Sequence, residues 1–233
     1  MSDRPAGGAQ DDAGAVLAAV AHEFKNALAP LGMTLQIVER ALLAGHPIAP
    51  SDLAFSRAQV RLLSGLVNDL LDQARVDLSA LPVRAESADV VALVRDAVGA
   101  FQRAHPTPVT IDAPAALVAR LDPARMRQVL SNLLENAARY APPGSEVAVR
   151  VRPAGGAGQL ARIEVIDRGP GLGDGEKTRV FDRFVRGEAG RGTSGLGLGL
   201  YLCRTIVEQH GGAIGVDSQP GAGCTFWVHI PIA

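Results

Sequence analysis

The sequence predicts two domains: an all-α helical hairpin that forms a dimeric four-helix bundle, followed by an α+β sandwich. Two apolar patterns predict the hairpin. Leu17, Val20, Phe24, Leu28, Leu31, Leu35, Val38 and Leu42 recur at steps of three or four, and Leu53, Val60, Leu63, Val67, Leu70 and Ala74 repeat the pattern. This is the spacing of amphipathic helices with a near-heptad seam. The second domain is predicted by the change of texture after Leu81-Pro82, where short β-branched runs and helical stretches mix. Strand pairs joined by turns and interleaved with helices make α+β architecture. The expected boundaries are 1–13 for a flexible N-terminus, 14–80 for the helical domain and 85–233 for the sandwich.

Each element follows from local chemistry. Gly45-His46-Pro47 ends the first helix, and Pro50-Ser51-Asp52 caps the second. Two helices on a short loop form an antiparallel hairpin. Alone, it leaves its seam half open, so pairing with a second copy closes it; the other solution is packing on the rest of its own chain. Further on, helices are expected at 89–101, 123–140 and 200–209, and strands at 146–152, 160–166, 213–217 and 224–230. AGGAG separates the first two strands, and Ser218-Gln219-Pro220-Gly221 turns the last two.

Composition narrows the function. The formal net charge of −1 gives no reason to expect nucleic acid or an anionic membrane as partner. No apolar run approaches the roughly 20 residues a spanning helix needs, and MSDRPAGGAQDDAG has no signal-peptide core. Cys203 and Cys224 lack any CxxC or ligand spacing, as buried thiols of a reducing, cytoplasmic compartment would.

The helix RMRQVLSNLLENAARY places Asn132, Asn136 and Arg139 within one narrow arc, opposite Met126, Leu130, Leu133, Leu134 and Ala137. Two carboxamides and a guanidinium on one stripe can hold a hydrated cation and a polyphosphate. Asn is a poor helix former, so two at i, i+4 are not propensity choices. The strand ending Ile166-Asp167 runs into Arg168-Gly169-Pro170-Gly171-Leu172. Its carboxylate can accept the exocyclic amine of a purine, and the glycines admit close backbone approach; a tight turn explains a lone DxGxG equally well. Gly195-Leu196-Gly197-Leu198-Gly199-Leu200 opens a helix and offers bare N–H groups to an anion. With no GKS or GKT it is not a P-loop.

In this order the segments resemble the ATP-binding domain of histidine kinases, within the wider gyrase/Hsp90-type ATPase superfamily. Asn132–Asn136 with Arg139-Tyr140 looks like the N box, DRGPGLG (167–173) the G1 box, VFDRFVRG (180–187) the F box, and GLGLGLYLCRTIVEQHGG (195–212) the G2 box. The resemblance implies ATP with Mg²⁺ as cofactor. Asn136 is then the metal ligand and Asn132 its support, with Arg139 on phosphate, Tyr140 against adenine and Asp167 on the adenine amine. Gly169, Gly171, Gly195, Gly197, Gly199 and Leu200 line the site, and residues 187–194 form a mobile lid. Leu196 stands where Thr or Ser is common.

In the first helix, His22 lies two residues from both Val20 and Phe24, about 200° from each, so its ring points away from the seam. Ala21-His22-Glu23-Phe24-Lys25-Asn26-Ala27-Leu28-Ala29-Pro30-Leu31 resembles the histidine-kinase H box, with Ala27 replacing a frequent proline. Pro30 is expected to bend the helix. The resemblance implies autophosphorylation of His22, with Glu23 orienting the imidazole. It further implies transfer to a response-regulator aspartate, and a phosphatase role for Asn26. A non-catalytic phosphotransfer scaffold is disfavoured by intact Asn136, Asp167 and the glycines. A gyrase/Hsp90-type ATPase or serine-directed kinase is disfavoured by the hairpin bearing His-Glu-x-x-Asn. The sensor or input module is expected to lie outside this chain.

Overall fold

The computed structural model describes residues 8–77, 83–156, 159–185 and 197–232. Two compact units divide the chain, with the first boundary between Ala74 and Arg75. No helix of the described residues is long and apolar enough to cross a membrane.

The first unit carries two long helices, α1 (Gly8–Leu43) and α2 (Pro50–Asp77). α1 begins within the stretch expected to be flexible and is helical on both sides of Pro30, whose carbonyl accepts from the Thr34 hydroxyl at 3.0 Å. Gly45 ends it at φ +70°, a left-handed cap that lets the His46 N–H reach Ala41 O at 2.8 Å. None of the side chains described on these helices is buried. Leu28, Leu35 and Leu42, seven residues apart on the predicted seam, are all exposed.

The second unit is a two-layer sandwich. Its elements are β1 (Glu86–Asp89), α3 (Val90–Ala104), β2 (Val109–Asp112), β3 (Val118–Leu121), α4 (Pro123–Tyr140), β4 (Val147–Ala154), β5 (Leu160–Ile166), α5 (Asp174–Lys177), α6 (Gly199–Gln209), β6 (Ala213–Ser218) and β7 (Cys224–Pro231). The main sheet runs β2-β4-β5-β7-β6, parallel only between β2 and β4, while β1 and β3 pair separately. Along β5 and β7 every second residue is buried: Ala161, Ile163 and Val165, then Phe226, Val228 and Ile230. That period-two face meets the apolar stripes of the helices, among them Val90, Val94 and Phe101 of α3, Leu130 and Leu133 of α4, and Ile206 and Val207 of α6. The helices and closing strands fall within a few residues of their predicted bounds. The short strands β1 to β3 and the turn of helix α5 lacked sequence boundaries, because four residues carry too little periodicity.

The core positions the site by fixing where elements end. Leu121 is fully buried, so β3 delivers Asp122 to the start of α4. Val165 is also fully buried, which sets Asp167 at the exit of β5.

Candidate functional site

α4 begins with a strong cap. Asp122 accepts from the N–H groups of Ala124 (3.0 Å) and Arg125 (3.1 Å), with Pro123 at the first helical turn. Its other oxygen accepts from Arg84 N at 3.2 Å. Burial opposes the charge, but these backbone donors outweigh it and hold the carboxyl below its ordinary range. The Asp122 N–H donates to His210 Nε2 at 2.9 Å, while His210 Nδ1 lies 2.7 Å from Ile206 O. A ring accepting at Nε2 and donating at Nδ1 is neutral, so this histidine ties the end of α6 to the cap of α4.

Buried Met126, Val129, Leu130, Leu133, Leu134 and Ala137 turn the opposite stripe of α4 outward. Asn132, Asn136 and Tyr140 are half-buried there and Arg139 is exposed. The Asn132 carboxamide donates to Gly199 O at 3.3 Å. The Asn136 side chain, half-buried, makes no hydrogen bond among the described residues.

Asp167 is 4% exposed. Its Oδ1 accepts from Gly169 N at 2.7 Å and Cys224 N at 3.2 Å. Burial pushes its pKa up, against the two backbone donors that pull it down. A Cβ on Gly169 would stand 3.0 Å from Tyr140 O, so the loop after β5 presses on the end of α4. Asp167 also borders a cavity of about 410 Å³ shared with Lys177, Ser218, Gln219, Cys224 and Thr225. Asn132, Asn136, Arg139 and Tyr140 do not line it.

Gly197 and Gly199 open α6. Gly197 sits at φ +68°, where a Cβ would lie 2.8 Å from Val185 O. Leu198, the N-cap, makes no capping bond, so the first N–H groups of α6 have no side-chain cap among the described residues. Leu200 packs its side chain against the core and can reach a ligand through backbone alone. Residues 180–185 dock on this helix. Phe184 N donates to Gly197 O at 3.1 Å, Arg183 bonds and stacks on Tyr201, and Asp182 pairs with Arg204. Gly195 and the predicted lid at 187–194 lie outside the described residues.

Thus the segments of three motifs meet: Asn132 with Gly199, and Tyr140 with Gly169. His22 and Glu23 lie on α1, but their side chains are outside those described; Asn26 is exposed on the same helix. Sequence reading missed the caps Asp122 and His210 and the contribution of residues 218–224. Asp122-Pro123 carried a readable signal, an N-cap followed by proline. His210 and the turn carried none, since their partners are distant in sequence.

Residues 121–233 match the family model described as Histidine kinase-, DNA gyrase B-, and HSP90-like ATPase. The chain is 32% identical over 219 residues to sensor protein KdpD of Escherichia coli (strain K12), covering 93% of this chain and 24% of that one. It is 35% identical over 221 residues to sensor protein SrrB of Staphylococcus aureus (strain NCTC 8325 / PS 47), covering 92% and 37%. The chain therefore spans about a quarter to just over a third of these relatives. Among solved structures, full-length ShkA in complex with AMPPNP aligns with a TM-score of 0.63 at 29% identity, over 93% of this chain and 45% of that one.

Proposed function

We propose that this chain, whose residues 121–233 carry an ATPase domain of the histidine kinase type, is the catalytic core of a two-component sensor histidine kinase. It binds ATP with Mg²⁺, phosphorylates its own His22 and passes the phosphoryl group to an aspartate of a response regulator. The carrying observation is the convergence of the Asn132–Tyr140 stripe, the Asp167–Gly171 loop and the uncapped start of α6, with relatives named as sensor proteins matching more than nine-tenths of the chain.

The residues suit the nucleotide. Asp167 presents an acceptor fixed by two backbone donors, and burial makes it selective for a donor such as an adenine amine. The N–H groups at Gly199 and beyond, without a side-chain cap among the described residues, suit phosphate oxygens. Asn136 offers an unengaged carboxamide to a divalent cation. Among the described residues no three His, Cys, Asp or Glu side chains cluster to hold a metal, so its remaining ligands would come from phosphate and water, the usual habit of Mg²⁺. Bound ATP supplies the γ-phosphoryl group. Arg139 and Tyr140 are read as its phosphate and base contacts, with Gly195 and the 187–194 segment completing the site.

On α1, His22 is the nucleophile through a neutral ring nitrogen. Glu23 accepts the other ring N–H and stabilises positive charge as the P–N bond forms. Asn26, one turn on and exposed, orients water for regulator dephosphorylation. The exposed leucine seam favours a homodimer. A cytoplasmic setting fits ATP chemistry and two unpaired cysteines. The test is incubation with γ-labelled ATP. Label that is acid-labile and alkali-stable, and that chases onto a receiver domain, is expected; acid-stable label or free phosphate alone refutes the kinase reading.

A further inference from the structure

The loop that carries Asp167 does not stand alone; it interlocks with the β6–β7 turn. A Cβ on Gly171 (φ +72°) would lie 2.0 Å from Gln219 O, and one on Gly223 (φ +81°) 2.1 Å from Asp167 O. Each glycine thus admits the backbone of the other loop. Gly221 N donates to Pro170 O at 2.6 Å, and Asp167 N to Cys224 O at 2.9 Å.

One side chain joins both loops. Ser218 Oγ accepts from Leu172 N at 2.9 Å and donates to Gly223 O at 2.7 Å. Leu172 closes the loop that follows Asp167, and Gly223 precedes Cys224, whose N–H binds the Asp167 carboxylate. Lys177 Nζ reinforces the contact from α5, donating to Ser218 O at 3.2 Å. Ser218 and Asp167 also line the same cavity.

We infer that Ser218 is a positioning residue for base selection: its hydroxyl sets the orientation of the Asp167 carboxylate by holding the loop on one side and the donating turn on the other. This rests on the nucleotide-site reading above. Alanine removes both hydrogen bonds and leaves the Leu172 N–H and Gly223 C=O to solvent or strain. The carboxylate then loses its fixed direction, while the phosphate-facing start of α6 is untouched.

The experiment is calorimetric binding of Mg-ATP and Mg-GTP to the whole chain, with melting temperature followed in parallel. Ser218→Ala is expected to weaken ATP roughly three- to tenfold, the range set by loss of the one hydrogen bond between the Asp167 carboxylate and the base. GTP affinity should hold, so the ATP/GTP ratio falls by the same factor. Ser218→Thr keeps a hydroxyl and should keep the wild-type ratio. An unchanged ratio in Ser218→Ala overturns the inference, as does equal weakening of both nucleotides, which marks mere loss of fold. A Thr variant that melts normally but loses selectivity also overturns it. Wild-type chain that binds no ATP would remove the nucleotide-site reading itself and this inference with it, whereas tight wild-type binding with an indifferent Ser218→Ala removes the inference alone.

Discussion

In the ATPase half, Leu121, Met126, Leu133, Val165 and Val228 are inaccessible to solvent, and Val118 is the one large exposed hydrophobic residue among those described. In the helical half, Leu28 and Leu35 are each 51% exposed and Leu42 61%. Both halves carry apolar periodicity, weaker along α1 and α2 than along α3, α4 and α6, and among the described residues only the second closes a core with its own elements. A sheet covered by three helices has a second layer within the chain; a seam on two helices needs a surface from elsewhere. The difference teaches that the second half draws stability from internal packing, whereas the described seam of the first is left without such packing.

The sharpest way to break this division of labour is at the acceptor. His22→Gln should abolish phosphohistidine while leaving ATP affinity within about twofold, because His22 belongs to the first unit and the proposed ATP contacts Asn136 and Asp167 to the second. Persisting acid-labile label would move the assignment to His46, His105, His210 or His229. Next in size is a paired test of packing. Leu133→Ala, in the closed core, should destabilise the ATPase half by about 2–5 kcal/mol in denaturant unfolding. Leu35→Lys should leave that transition in place and instead drive the chain toward monomer in sedimentation. If Leu35→Lys lowers ATPase-half stability just as much, the halves are one cooperative body.

A smaller effect is expected at the α4 cap. Asp122→Ala removes the Ala124, Arg125 and Arg84 contacts and should cost about 1–2 kcal/mol. The carboxyl's pKa is depressed in the fold, so its stabilisation is present above the ordinary carboxylate range and lost as pH falls through the folded value. The cost of Asp122→Ala should therefore shrink in acid; a constant cost from neutral pH to below about 4 would contradict the charge-based cap. Smallest is Asp167→Asn, with opposite sign. Burial raises this pKa, so ionised Asp167 weakens the fold at neutral pH and protonation relieves that below the raised value. Asp167→Asn should melt slightly higher than wild type at neutral pH, with the gap closing in acid, and should bind ATP less selectively. A variant that melts lower at neutral pH would show the carboxylate to be structural.

What could be read from the sequence was local. The helix periods, the exit of β5 at Asp167 and the glycines opening α6 depend on neighbours within a few residues. So did the stripe of Asn132 and Asn136, which lie on the open face that the buried leucines leave. The hairpin's exposed seam was likewise written in its heptad spacing. The strand order was not, since β2 lies parallel beside β4 with two other elements between them in sequence.

The sequence by itself determined which residues share a face and where elements stop, because side-chain sterics and the 3.6 and 2.0 residue repeats act along the chain. Only the tertiary structure decided what those faces meet. His210 reaches Asp122 across 88 residues and Ser218 reaches Leu172 across 46. Both bonds are made by ordinary polar side chains that any surface position could carry. Their meaning comes from the sheet, whose packed core brings one loop against another at backbone distance, where Gly171 and Gly223 admit the crossing chain.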